Sequence, residues 1–263
     1  MNEGKNIPEK LKKILSDNRS GSEELLLKLN SFLLSHYRGA PIPKYIIREI
    51  KKAFSPFQNI SSYLRSIEKL KDIKEIKIHL ENYSRADKNK FNSIFENACP
   101  LLKGYKRIIT FSNSRTVAEI LKRLGKLKRG LTVVVPECRP ANEGRIMAKL
   151  LAGDKIKVEY ITEAMLPEYI EGCGCALIGA DKIFPNGDIL NKTGSRALAI
   201  LCRHFKIPLY AAADHSKITS YSKTGSHKKN PAEVWKNPPA GVKVSNYYFE
   251  RVEKKYIKKL ITD

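Results

Sequence analysis

Apolar residues recur three and four positions apart through the first hundred residues, and then condense into short unbroken runs. KLKKIL, SEELLLKLNSFLLSHY, KYIIREIKKAF, ISSYLRSIEKL and KDIKEIKIHLENY all follow the helical spacing. Asp17, Ser20 and Ser22 offer helix starts, and Pro41 and Pro43 punctuate a connection. After Gly104 the pattern changes. KRIITF (106–111), LTVVV (131–135), IKVEYI (156–161), CALIG (175–179) and PLYAAA (208–213) are short and apolar, with helix-like runs between them. Strands alternating with helices of this length predict a parallel, doubly wound sheet, whose strands are covered on both faces. The expected fold is α/β: a helical domain over 1–103, then a Rossmann-like sheet domain over 104–263. Residues 214–240, rich in Ser, Lys, Asn and Pro, read as a long loop or lid. VKVSNYYFERVEKKYIKKLI, at the end, predicts a further strand and a terminal helix.

In an open α/β sheet, ligands bind beyond the carboxyl ends of the strands. The polar residues that follow each apolar run are therefore the candidates. They are Ser112-Asn113-Ser114-Arg115, Glu137-Cys138-Arg139, Thr162-Glu163, Asp181-Lys182 with Asn186, Asn191, Lys192 and Thr193, and Asp214-His215-Ser216-Lys217. Ser112, Asn113 and Ser114 precede one helix, and Thr193-Gly194-Ser195 precede another. Free backbone N–H groups at such starts favour phosphate. Arg139 suits bidentate phosphate binding, and Lys192 and Lys217 are point charges. Asp181 and Asn191 suit sugar hydroxyls. The set points to a sugar phosphate or a nucleotide phosphate. Duller roles compete for the same residues: helix capping for Ser112 and Ser114, and a turn at Pro185-Asn186-Gly187 for Asp181.

Composition narrows the partners. The 263 residues carry a net charge of +22, spread along the whole chain rather than gathered in an arm. A solvated lysine-rich surface with nonspecific affinity for polyanions accounts for that. The five cysteines are dispersed, which suits a reducing compartment better than a disulfide framework. Cys173-Gly174-Cys175 is a lone CxC and predicts no metal. The beginning of the chain has no apolar core of the signal-peptide kind, and no run approaches the roughly 20 apolar residues of a membrane span. A cytoplasmic protein without membrane association or cofactor is expected.

GADKIFPNGDILNKTGSRALAILCRHFKIPLYAAADHSK resembles the signature of a superfamily. It comprises the alpha, beta and delta subunits of translation initiation factor 2B, ribose-1,5-bisphosphate isomerase and methylthioribose-1-phosphate isomerase. ECRPANEGRIMAKLLAG, ITFSNSRTVAEIL and VSNYYFERVEKKYIKKLIT are similar to further family blocks, so the likeness covers about residues 104 to 263. The resemblance implies dimerisation through the carboxyl-terminal domain and a phosphosugar pocket at the strand ends. It also implies a catalytic aspartate at Asp181 and a catalytic cysteine at the position held here by Ser112. A serine hydroxyl does not ionise near neutral pH as a thiol does. Tyr37-Arg38-Gly39-Ala40-Pro41 resembles the isomerases' Arg-Gly-Ala loop, which would bring Arg38, Gly39 and Ala40 into the pocket. The expectation is a homodimeric subunit-like protein that holds a phosphorylated sugar or nucleotide without turnover. Initiation factor 2 or another acidic protein would be its partner. The alternative is an aldose–ketose isomerase.

Overall fold

The structure, a computed structural model, describes residues 7–17, 20–220 and 228–263, and in residues 84–89 the backbone only. Five helices come first: α1 (Glu9–Leu15), α2 (Ser22–Tyr37), α3 (Lys44–Ala53), α4 (Gln58–Lys69) and α5 (Ile73–Leu102). The stripes read from the sequence are their buried faces. Leu25, Leu26, Leu29, Phe32 and Leu33 of α2 pack with Ile46 and Ile50 of α3, Leu64 of α4 and Leu80 of α5 in one core. α5 is 30 residues long and runs well past the Tyr83 end of the periodic run. Its second half continues the spacing through Ile94, Ala98 and Leu102, which are buried against the sheet domain instead. One helix therefore serves two cores.

The sheet domain alternates β1 (Arg107–Phe111), α6 (Arg115–Leu127), β2 (Thr132–Pro136), α7 (Gly144–Gly153), β3 (Lys157–Ile161), α8 (Leu166–Ile170) and β4 (Cys175–Gly179). It continues with β5 (Lys182–Ile183), β6 (Ile189–Lys192), α9 (Ser195–His204), β7 (Leu209–Ala212), β8 (Phe249–Val252) and β9 (Lys259–Ile261). The main sheet runs β3-β2-β1-β4-β7-β9, and every neighbouring pair is parallel. Taken in chain order this is 3-2-1-4-5-6, the doubly wound arrangement. Side chains alternate across it. Ile108, Val133, Leu177 and Ala212 face α5, α6 and α7, whereas Ile109, Val134, Ile178 and Ala211 face α8 and α9.

One expectation from the sequence needs correction. The closing stretch forms strands β8 and β9 joined by a single 3₁₀ turn, Lys254–Tyr256, and no terminal helix. Val252 and Ile261 are the buried positions, and the lysines between them stay in water. Pairing of β9 with β7 extends the sheet by a strand, which outweighs any local helical preference. The turn expected at Pro185-Asn186-Gly187 is present, and the polar stretch around it pairs into strands that the sequence reading did not assign. Pro185-Asn186-Gly187-Asp188 turns a hairpin between β5 and β6, and β8 completes a small antiparallel sheet beside the main one. The 214–240 region does lack regular strand or α-helix among its described residues; residues 221–227 lie outside them.

Gly144 opens α7 directly beneath β2, where an added Cβ would fall inside the van der Waals surface of the Pro136 carbonyl oxygen. Gly144→Ala is expected to cost about 3 kcal/mol, the upper end of ordinary overpacking, because the obstacle is backbone. Chemical denaturation would show a lower midpoint with an unchanged slope.

Candidate functional site

The strand order reverses between β1 and β4, so their carboxyl ends flank an open crevice. The helical domain caps it. A cavity of 240 Å³ lies there, walled by the starts of α2 and α6, the ends of β1 and β4, and the 229–249 segment. Ser112, Asn113, Ser114, Asp181, Asn191 and Lys217 all line it. Four of the five strand-end groups thus contribute directly or from just beneath the wall, as the topology requires.

At the end of β1 the backbone of Ser112 takes a left-handed conformation, with φ of 70°. Cys138, at the end of neighbouring β2, does the same with φ of 62°. Such values are uncommon for residues other than glycine and cluster at functional sites. The two are locked together: the Ser112 N–H donates to Cys138 Sγ at 3.0 Å. Cys138 is fully buried, and burial pushes its thiol far up, so it stays protonated. The Ser112 hydroxyl donates to Glu143 Oε1 at 3.4 Å. Asn113 is buried, and Ser114 caps α6 by accepting from the Val117 N–H, the capping role foreseen for a serine there.

Glu143 also approaches Lys192 Nζ at 2.9 Å, and both side chains are buried. Lys192 lies across the Tyr248 ring, 4.0 Å from its centroid. Burial pushes the Glu143 carboxyl upward, against the pull of Lys192. Its second oxygen, Oε2, has no hydrogen-bond partner. Asp181, 16% exposed, faces Lys217 Nζ at 3.7 Å. Its carboxyl is likewise raised by burial, against Lys217 and the Ser22 hydroxyl. Lys217 donates to Ser22 Oγ at 2.5 Å, tying the end of β7 to the start of α2. Asn191 donates to Ser195 Oγ at 2.9 Å.

Three expectations fall elsewhere. Arg38, Gly39 and Ala40 lie exposed beyond the far end of α2, where Arg38 pairs with Glu81 at 3.1 Å. The start of that helix, Gly21-Ser22-Glu23, meets the crevice instead. Arg139 is exposed and outside the cavity wall. Its backbone N–H is taken by Glu163 at 2.6 Å, and its guanidinium reaches the Val234 carbonyl at 3.4 Å. The start of α9 is already filled by an anion of the chain's own. Glu250 Oε1 accepts from the N–H groups of Gly194 at 2.6 Å and Arg196 at 2.8 Å.

Glu143, Glu250 and the Ser22-Glu23 pair were not singled out for the site from sequence. Glu23 is buried, accepts from Asn59 Nδ2 at 2.9 Å and pairs with Lys90 at 3.1 Å. Burial and the nearby Asp214 push its carboxyl up. Asp214 is itself buried, but Lys90 and Lys217 overcome that and hold it down at about 2. Its contribution to stability is therefore complete above the ordinary aspartate range and is lost as pH falls toward 2. Each carboxylate on the cavity wall has a cation or a donor beside it. Asp17 pairs with Lys28, and Glu233 accepts from Asn246 and Tyr248. Arg115, stacked on Phe91, and Lys229, over Tyr248, add positive charge. Among the described residues no cluster of metal-ligating side chains occurs, and no helix is long and apolar enough to cross a membrane.

Lys192→Met would strand Glu143 as an unpaired buried charge. A loss of about 3–5 kcal/mol is expected in urea denaturation, most of it recovered when Glu143→Gln is added.

Residues 44–263 match the model of the Initiation factor 2 subunit family. An eIF-2B subunit 2-like protein of Pyrococcus furiosus is 29% identical over 82% of this chain and 76% of its own length. Methylthioribose-1-phosphate isomerase of Acetivibrio thermocellus is 30% identical over 78% of this chain and 65% of its own. The chain thus spans somewhat under two thirds of the second relative. The crystal structure of translation initiation factor eIF-2B from Pyrococcus horikoshii superposes with a TM-score of 0.85, covering 97% of this chain and 95% of that one at 23% identity. With the family match running through most of both domains and the fold shared, the chain belongs to the Initiation factor 2 subunit family.

Proposed function

We propose that the protein is an initiation factor 2B subunit-like module that holds a phosphorylated sugar, or a nucleotide phosphate, in the crevice without turning it over. The observation that carries this reading is the state of Ser112. Its hydroxyl rests on a carboxylate already engaged by Lys192, and the thiol beneath it is buried and protonated. No group at that position ionises near neutral pH. The phosphate is assigned to the space between the starts of α2 and α6. There Gly21 sits against the Asn113 carbonyl, with only 2.6 Å left for a Cβ, and α2 has no side-chain cap. Sugar hydroxyls would then meet Asp181, Asn191 and the exposed part of Glu143. A homodimer in the cytoplasm, with initiation factor 2 or another acidic protein as partner, belongs to the same reading.

A second reading is favoured by one feature. Asp181 and Glu143 are both raised by burial and face the same cavity, as an acid–base pair would. In an isomerase acting on a ring-closed sugar 1-phosphate the C1–ring-oxygen bond would open, one carboxyl group would protonate that oxygen as the C2 hydroxyl loses its proton, and hydrogen would pass from C2 to C1 as the C2 carbonyl forms.

Incubation with ribose-1,5-bisphosphate and with methylthioribose-1-phosphate, followed by ¹³C NMR, separates the two. Broadened ligand signals with no ketose formed are expected. Ser112→Cys is expected to create measurable turnover. Ketose formed by the unaltered chain and abolished in Asp181→Asn would contradict the proposal.

A further inference from the structure

The end of β6 presents two seats for an anion, and the chain fills both with its own carboxylates. One is the Lys192 ammonium, in a side chain 2% exposed, which lies 2.9 Å from Glu143 Oε1 and 4.0 Å from the centre of the Tyr248 ring. The other is the start of α9, two residues on, where Glu250 Oε1 accepts from the N–H groups of Gly194 and Arg196. A buried ammonium and a helix N-terminus so placed would suit a phosphate if they were free. Filled in this way, they offer little to the anion of a ligand.

Glu143 is the one of the two acids that faces the cavity. It lines the same wall as Asp181 and Asn191, to which the sugar end of the ligand is assigned. Its Oε1 also accepts from the Ser112 hydroxyl at 3.4 Å, so serine and lysine together hold the carboxylate in place. Asp181 and Glu233 bring further carboxylates to the wall, and Lys217 is engaged with Asp181 and Ser22. Lys229 stands over Tyr248 at the exposed rim, where water and salt screen it. A neutral hydroxyl can lie against such a surface. A second dianionic phosphate would give up its water to meet like charge.

We propose that Glu143 is a specificity residue: by occupying Lys192 it sets the sugar end of the crevice against a second phosphate, so that the protein takes monophosphate esters in preference to bisphosphates. The inference rests on the reading that the crevice holds a phosphorylated sugar. Selection of this kind works through an unfavourable contact with the wrong ligand as much as through favourable contacts with the right one.

Calorimetric titration of ribose 5-phosphate and of ribose-1,5-bisphosphate into the full chain tests it, at one ionic strength and at pH 8, where the phosphates are dianionic. The quantity read is the ratio of the two dissociation constants, which a general loosening of the fold would not move. The monophosphate is expected to bind about tenfold tighter or more. Glu143→Gln leaves Lys192 to the ligand and is expected to abolish or invert that preference. Should this variant fail to fold by circular dichroism, Glu143→Gln combined with Lys192→Met removes both charges, and the preference is expected to shrink, though less far. Equal affinities in the unaltered chain would overturn the proposal. So would a ratio unmoved by a folded Glu143→Gln or by the double variant. Binding of neither sugar phosphate would overturn the phosphate reading together with the proposal.

Discussion

Everything at the crevice depends on carboxylates being buried next to lysines. Glu143 with Lys192, Asp181 with Lys217, and Glu23 with Lys90 all sit where β1 and β4 part and the helical domain closes over them. An isolated buried charge is costly, but a pair with further hydrogen bonds is tolerable, and removing one partner is severe. The pairs therefore fix one another. They also fix the two domains, since Lys217 after β7 reaches Ser22 at the start of α2, and Glu23 reaches Lys90 on α5. A pocket between two domains that slid freely would have no constant shape. Here the charges and the shared helix α5 hold it.

Held this way, the wall has little spare ionic character. Each acid is matched, and the chemistry left over is an Asp181 carboxyl with a raised pKa, the Asn191 amide and backbone N–H groups at the start of α2. That inventory grips hydroxyls and one anionic group. It contains no ionised thiol, because the cysteine at hand, Cys138, is spent on the backbone of Ser112 and buried. The left-handed conformations of Ser112 and Cys138 aim the serine at the cavity and the thiol away from it. Most of the basic residues lie outside the pocket, while Lys217, Arg115 and Lys229 bring part of the positive charge to its wall.

The sheet was legible because β1, β2, β4 and β7 are nearly continuous apolar runs and β3, though it carries Lys157 and Glu159, keeps a short β-branched and aromatic run; their order follows from the doubly wound rule once they are found. β9 was missed because KLI is short and takes its meaning from the β7 edge it joins, many residues away in sequence. Asp181 was legible as a polar residue just after β4, Lys217 as one of the polar group that follows β7, and Asn191 as part of the polar stretch that folds into β6. Arg139 and the Arg38 loop misled for opposite reasons. Arg139 does follow a strand, but its backbone and guanidinium are turned to Glu163 and Val234. Arg38 belongs to a helix whose other end meets the site, and no local pattern tells one end from the other. The start of α9 has the glycine and small residues of a phosphate seat, yet Glu250, more than fifty positions later, occupies it. Residues brought in by tertiary pairing were invisible for that reason.

A crystal structure of the protein grown with ribose 5-phosphate tests the central claim most directly. The account predicts the phosphate between the first turns of α2 and α6, with sugar hydroxyls on Asp181 and Glu143. An empty crevice, with the phosphate held instead by Arg139 or by the outer lysines, would contradict it.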